Sequence, residues 1–492
     1  MTTKNTQFTQ HPALGGLDVS SDPTVLDPNF LTNADNIEYR EGGQRKKRPG
    51  FRVYSTNSTS TGANVPMVSS TSAVRAIMDQ WHYGASLTPT QTYVAVTGAS
   101  IFASTGDGLW HPITVSSSFG SNDNRRTHIT LAGDVAVISD GQTQPVAYDG
   151  LALTSSTLST PSTGSNWPVF EGTSYHLNRL FYTGVSTAPS LLAYTAANNI
   201  FDSTGTDTGS FTVNSGDGDR VIGLSKPFYG SLYIFKGPQK GSVFQLSGAT
   251  PSAFALAQVG YGAPPLNSRG IVTTPTDIYW LSQYGVHSLE TTVKFGNVEQ
   301  AFLSLPIQRL WRDRVLKRTL LSNAWGFWHP QRNIVGWCVT PEGETSQHWL
   351  LCYNYALSDP KPGGKKFWSI WKLSGFGAAS GAVMLVGALD PNHNGDPHLY
   401  LGGEATGLVY EGDQESALND ALAAYTAKIT TPTLTRFETP KGKIPETQEK
   451  GFVGIVTYFA PHGSVSANLN VTVDRRVQST TISLTGGGAT LT

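Results

Sequence analysis

Apolar residues in this chain come in short runs, cut every few positions by Gly, Pro, Asn, Asp, Ser or Thr. Runs of that kind with period-two alternation read as β-strands, and the interruptions read as tight turns. Residues 74–81 (VRAIMDQW), 93–102 and 110–115 make one group, and 127–132, 134–139 and 145–148 the next. Residues 176–183 with 191–194 follow, then 221–224, 231–236 and 242–246. Further groups are 271–274, 278–281 and 286–289, then 324–371, and last 383–410. Helical periodicity is confined to two stretches, 307–316 (IQRLWRDRVL) and 416–425 (SALNDALAAY).

The groups succeed one another at about 40–50 residues, the spacing of propeller blades, each a small twisted antiparallel sheet. The fold expected is therefore all-β, a β-propeller of six or seven irregular blades. A many-stranded sandwich is the competing reading. Beyond residue 415 the texture changes, and residues 426–434, 452–459, 467–473 and 480–484 alternate as a small separate β-sandwich would. The organisation expected is an N-terminal segment over 1–70, a propeller over 71–415 and the sandwich over 416–492, with residues 486–490 as a flexible tail or a cut.

Composition narrows the class. Charged residues are 14% of the 492, against roughly 25% in an ordinary soluble domain, and the formal net charge is −1. A coiled coil and a strongly basic nucleic-acid binder are both excluded. No run of about 18 apolar residues is present to span a membrane as a helix. Residues 1–5 lack the apolar stretch of a secretory leader, so the expected compartment is a reducing cytosol, with Cys338 and Cys352, on two arms of one hairpin, as free thiols rather than the alternative disulfide.

Candidate chemistry is sparse. Ser104-Thr105-Gly106-Asp107-Gly108-Leu109-Trp110 approaches a sialidase Asp-box, but its Asp falls one place late, and it reads as a hairpin turn leading to a strand Trp. Asp390-Pro391-Asn392-His393-Asn394-Gly395-Asp396 has the spacing of a calcium loop. Leu401 stands where a bidentate Glu is needed, so a hairpin turn is favoured. In the 216–223 stretch (GDGDRVIG) acidic residues occupy the place of a bound phosphate. The 11 histidines form no helical metal pair and no nucleophile elbow appears, so the expectation is a protein without catalysis, metal or cofactor. Arg45, Lys46, Lys47 and Arg48 form the one dense basic run and are the candidate contacts to phosphates, or a solvated hairpin end. Seven of the 11 tryptophans lie between residues 311 and 371, as a core blade or a subunit contact.

Residues 15–51 carry the most specific pattern: Gly15-Gly16-Leu17-Asp18, then Asp22-Pro23, Leu26-Asp27-Pro28-Asn29, Ala34-Asp35-Asn36-Ile37, Gly42-Gly43 and Lys47-Arg48-Pro49-Gly50-Phe51. It resembles the opening of bacteriophage tail nozzle or hub proteins, the tail tubular protein B type, and more distantly packaged-DNA stabilisation proteins. Similar stretches follow in order at 138–150, 176–181, 231–236 and 399–410. Best-known nozzle proteins are considerably longer than this chain.

The resemblance implies a structural virion protein in the tail, assembled in the bacterial host cytoplasm. Six copies would form a ring below a tail adaptor protein, with tail fibres or spikes as further partners. The ring would continue the channel for double-stranded DNA, helping to retain the genome and letting it pass on ejection. A carbohydrate-binding or glycan-cleaving propeller, with aromatic loop residues as sugar platforms, is the alternative.

Overall fold

The computed structural model describes residues 15–23, 26–27, 29–40, 45–54, 72–83, 89–98, 100–104, 110–113, 127–150, 167–290, 303–359, 364–385, 396–414, 419–420, 423–424, 427–430, 437–439, 442–444, 457–458, 465–473, 476–484 and 490–491. The chain divides into two compact units, Gln10–Thr433 and a smaller one that joins Met1–Thr9 to Leu434–Thr492.

Seven small sheets succeed one another along the larger unit. Blade 1 is Val74–Tyr83, Pro89–Thr97, Ser100–Ser104 and His111–Ile113. Blade 2 has three strands, His128–Ala132, Val135–Ser139 and Val146–Tyr148. Blade 3 is Gly172–His176, Arg179–Thr183, Leu191–Tyr194 and Gly209–Thr212. Blade 4 is Arg220–Leu224, Leu232–Gly237, Val243–Ser247 and Ala255–Gly260. Blade 5 again has three strands, Ile271–Thr273, Ile278–Leu281 and Val286–Ser288. Blade 6 holds Trp325–His329, Ile334–Val339, Trp349–Asn354 and Phe367–Lys372. Blade 7 holds Ala378–Leu385, Pro397–Gly403 and Val409–Gln414.

The first strands of neighbouring blades pack side by side, and that of blade 7 closes on that of blade 1. Between blades 4 and 5 the contact runs through the 3-10 turn Ser268–Gly270. Gly223 permits that approach, because a Cβ there would come within 2.8 Å of Ser268 Cα. The result is a seven-bladed β-propeller. We call the end where each first strand begins the upper face.

The fourth strand of blade 7 comes from the other end of the unit. Gly50–Val53 pairs antiparallel with Val409–Gln414, Arg52 facing Glu411. The propeller therefore starts well before residue 71, and its unit runs past 415 to Thr433. In the smaller unit the described strands form three two-stranded ladders. Val465–Val473 pairs with Arg476–Leu484, Phe437–Thr439 with Gly442–Ile444, and Thr457–Tyr458 with Thr490–Leu491.

Four of the seven tryptophans between 311 and 371 tie blade 6 to its surroundings. A buried indole N–H usually finds an acceptor. Trp337 donates to Gly270 O (2.9 Å) at blade 5, Trp325 to Ala378 O (3.1 Å) on blade 7, Trp371 to Ile37 O (2.9 Å) and Trp368 to Leu303 O (3.0 Å). These rings belong to the two largest apolar clusters.

Three local expectations are corrected. The 307–316 stretch is a 3-10 turn, Leu305–Ile307, followed by one α-turn, Arg309–Arg312. In 416–425, Asn419–Asp420 pairs with Ala423–Ala424 as strand, since tertiary pairing overrides weak helical periodicity. The 176–183 run is a hairpin that turns at Leu177 and Asn178, both at positive φ.

Candidate functional site: the N-terminal strap, the axis and the upper face

The motif-bearing N-terminal stretch is a strap over blades 6 and 7. Gly16–Leu17 pairs with Phe30–Leu31, and Asn33–Asp35 lies between the outer strand of blade 6 and Lys428–Thr430. The chain turns at Asn36 (φ 53°), whose Oδ1 accepts from Arg48 Nε (3.0 Å) and Lys372 N (2.7 Å). Ile37–Tyr39 then forms a hairpin with Arg45–Lys47, and Gly50–Val53 completes blade 7.

The basic run divides. Arg48 is fully buried, with Nη1 donating to Asp420 Oδ1 (2.8 Å) and Pro49 O (2.9 Å). Its Nη2 donates to Asp420 Oδ2 and to Lys372 O. No phosphate reaches this guanidinium, so Arg48 is structural and leaves the candidate set. Arg45, Lys46 and Lys47 sit half-buried on the outer arm of the hairpin, Lys46 opposite Glu38. Burial lowers the pKa of both Arg45 and Lys47.

Further charged pairs fasten the strap. Asp35 meets Lys372 Nζ at 2.7 Å, and Arg52 Nε meets Glu411 at 2.8 Å, with His398 3.3 Å from the same carboxylate. Arg332, in the blade 6 hairpin turn, bonds both Glu38 and Asp413. Burial alone would raise the Asp413 carboxyl, but the His329 hydrogen bond (2.9 Å) and the Arg332 charge bring it down to about 2.

The propeller axis is bridged. Arg269, in the turn leading into blade 5, donates to Arg75 O (3.1 Å) on blade 1 and Ala379 O (2.7 Å) on blade 7. Blades 5 and 1 lie almost opposite, so this side chain crosses the central opening near the upper face. Ser380 Oγ also donates to Val74 O, sealing blade 7 against blade 1. At the start of blade 2 lies His128, hydrogen-bonded to Thr173 and Thr130. Burial, with Arg269 and Lys226 nearby, lowers its pKa to about 4.

The other sequence motifs resolve into scaffold. Ser104 ends one strand of blade 1 and Trp110 precedes the next, with 105–109 outside the described residues. Of the calcium-like loop, 390–395 lies outside the described residues, and Asp396 accepts from Gln331. In the 216–223 stretch the carboxylates are consumed internally. Asp219 accepts the backbone N–H groups of Gln239, Lys240 and Gly241, and Asp217 pairs with buried Lys236 at 2.8 Å. Cys338 and Cys352 are free and buried, staggered across adjacent strands. Among the described residues no group of three His, Cys, Asp or Glu is placed to hold a metal ion, and no helix is long and apolar enough to cross a membrane.

Among the described residues, two surface grooves bear on ligand binding. One of about 220 Å³ lies between the strap and Arg309–Leu310, but its polar groups are occupied. Asp18 accepts from Ser20 and Ser21, and Arg309 bonds Asp313. The other, about 110 Å³, is on the upper face between blades 4 and 5, lined by Arg220, Ile222, Pro238, Pro264, Pro265, Leu266 and Gln283. Sequence reading missed it, because its residues come from separate turns that only the blade-to-blade packing brings together.

By architecture the protein is a seven-bladed β-propeller. No known family model matches the chain, and no curated protein does. Matches among solved structures include YCF48 bound to a D1 peptide, at 11% identity and TM-score 0.39, covering 79% of this chain and 100% of that one. A chain of the mitotic checkpoint complex matches at 10% identity and TM-score 0.37, covering 73% and 98%. The extracellular domain of a putative one-component system from B. thetaiotaomicron matches at 10% and TM-score 0.41, covering 71% and 39%.

Proposed function

We propose that this protein is a non-enzymatic structural component of a bacteriophage tail, of the nozzle or hub type, acting as a ring of six copies beneath a tail adaptor. The observation that carries the reading is the stretch over residues 15–51, which resembles the opening of that family. In the fold it is the strap that locks blades 6 and 7. Because Arg269 bridges the propeller's own axis, the DNA path in this reading runs along the ring axis, between copies. A wall of low net charge suits that task, since each strong phosphate contact would retard a sliding duplex. Half-buried Arg45, Lys46 and Lys47 supply limited contact.

The experiment is co-expression with a tail adaptor protein of the same phage, followed by mass measurement in solution and electron microscopy of the product. A six-fold ring bound to the adaptor is the expected result. A chain that stays monomeric at micromolar concentration with the adaptor present, or that is missing from purified virions, overturns the reading.

A further inference from the structure

We infer that the outer strand of blade 4, Ala255–Gly260, is a contact surface for a second copy of this chain, which adds the same strand antiparallel across a two-fold axis. The inference goes beyond the ring reading and does not depend on it.

Ala255–Gly260 ends the blade 4 sheet, paired with Val243–Ser247 on one side and with no strand on the other. Among the described residues, none of its backbone groups is bonded outward. Ala255, Ala257 and Gln258 are exposed, and Leu256 and Val259 are half-buried. Such an edge is a template for another strand, and proteins that stay single blunt it with charge, proline, a cover or brevity. The other described edges are blunted. Blade 1 ends on three residues with Pro112 in the middle, and blades 2 and 5 end on the buried runs Val146–Tyr148 and Val286–Ser288. Blade 6 is covered by Asn33–Asp35 of the strap, and blade 7 ends on Gly50–Val53 with Arg52 exposed. The blade 3 edge, Gly209–Thr212, is shorter and opens on Gly209 and Ser210. Blade 4 presents a six-residue edge without charge or proline.

A row of unpaired N–H and C=O groups takes a strand, and the side chains select which strand. Closely and widely spaced hydrogen-bond pairs alternate along an antiparallel ladder. A two-fold axis therefore has to set one residue opposite itself. Ala255–Gln258 keeps regular register with Phe244–Ser247, and the ladder is irregular beyond it, at Val259. A contact centred on Ala257 would run into that irregularity, and one centred on Ala255 into the 3-10 turn Pro251–Ala253. Leu256 satisfies both limits. It then faces Leu256 of the second copy, while Ala255 faces Ala257 and Phe254 faces Gln258. No charges meet, and the alanines let the backbones close. Phe254 and Leu256 are half-buried at the rim of the apolar cluster shared by blades 3 and 4, and their copies extend it. The strand thus meets, in itself, the demands that its edge places on a partner.

The test is sedimentation of the full chain alone, without an adaptor, from micromolar to hundred-micromolar concentration. The expected result is a concentration-dependent dimer, with amides 254–258 exchanging more slowly as it forms. Ala255→Lys/Ala257→Lys and Ala255→Glu/Ala257→Glu each set like charges opposite one another, and each weakens the dimer tenfold or more. Mixing the two variants places every Lys against a Glu and restores association. Both positions are exposed, and circular dichroism confirms that the variants fold. The inference is overturned if the unsubstituted chain stays monomeric over this range, or if either double variant associates as the unsubstituted chain does. A mixture that stays monomeric overturns it too, because the charges then act without facing one another.

Discussion

Arg48 and Asp420 stand 372 positions apart in the chain and form an ion pair with no solvent exposure on either side chain. One belongs to the strap that enters the propeller, the other to the segment that leaves it. The pair joins the two ends of the unit at a point where water does not compete.

Removing one partner leaves the other charge buried, which costs about 3–5 kcal/mol, whereas replacing both by apolar residues is far better tolerated. Arg48→Met and Asp420→Leu are each expected to lower the thermal unfolding midpoint by several degrees. The double variant should recover much of the loss. Differential scanning calorimetry of the three proteins checks this, and additive losses refute the coupling.

Truncating Arg269 removes two hydrogen bonds that cross from blade 5 to blades 1 and 7. Bonds from a charged donor are worth about 1.5–3 kcal/mol each. Arg269→Ala should therefore loosen the first strands of those blades. Faster amide exchange at residues 74–77 and 378–381, with the blade 3 amides unchanged, is the readout.

Two buried imidazoles each contribute stability that acid removes. Burial lowers His287 from 6.5 to about 3, and His128 from 6.5 to about 4. Below pH 6.5 the unfolded chain takes up protons that the native sites refuse, so each site contributes a slope of about 1.4 kcal/mol per pH unit, with stability falling on acidification. Asp277 opposes this. Burial raises its carboxyl from 3.8 to about 6, giving stability that is present in acid and lost as pH rises through 6. Burial also lowers His176 and raises Asp79 and Glu404, so the quantity to read is the fall that the single site His287 contributes between pH 6.5 and pH 4. His287→Gln should flatten that fall by about one proton.

Cys338 and Cys352 are buried, and burial raises both thiols well above their ordinary pKa. A thiolate is needed for attack on an aromatic disulfide reagent. The native protein should be inert to it and release two equivalents per chain once denatured. Prompt reaction without denaturant would show that blades 6 and 7 open readily.

If the strap's hairpin touches nucleic acid, its three half-buried cations carry the contact. Substituting Arg45, Lys46 and Lys47 by Gln should reduce the slope of log affinity against log salt by about 0.9 per lost phosphate contact. Arg48→Gln should act through stability alone.

Much of the propeller was legible because its strands are short, alternating and bounded by turn residues, as in 278–281 and 286–289. What stayed hidden depends on closure. Nothing local in Gly50–Val53 shows that its partner is Val409–Gln414, and a basic run reads as surface until Asp420 is seen to bury Arg48. The Leu177-Asn178 turn was missed because leucine at positive φ is not a turn signal. The groove at Arg220 escaped for the same reason as the closure, since its lining spans blades 4 and 5.

The borrowed strand of blade 7 also sets a clock. Arg52 and Glu411 lie 359 positions apart, so at about 5–20 residues per second the ribosome delivers the second roughly 20–70 s after the first. Until then the opening strand waits without its mate, and a product cut short before Val409 yields a wheel that never locks. Synthesis past Gln414 thus becomes the condition for a closed seventh blade, and shorter products are left with a raw sheet edge that quality-control proteases can find.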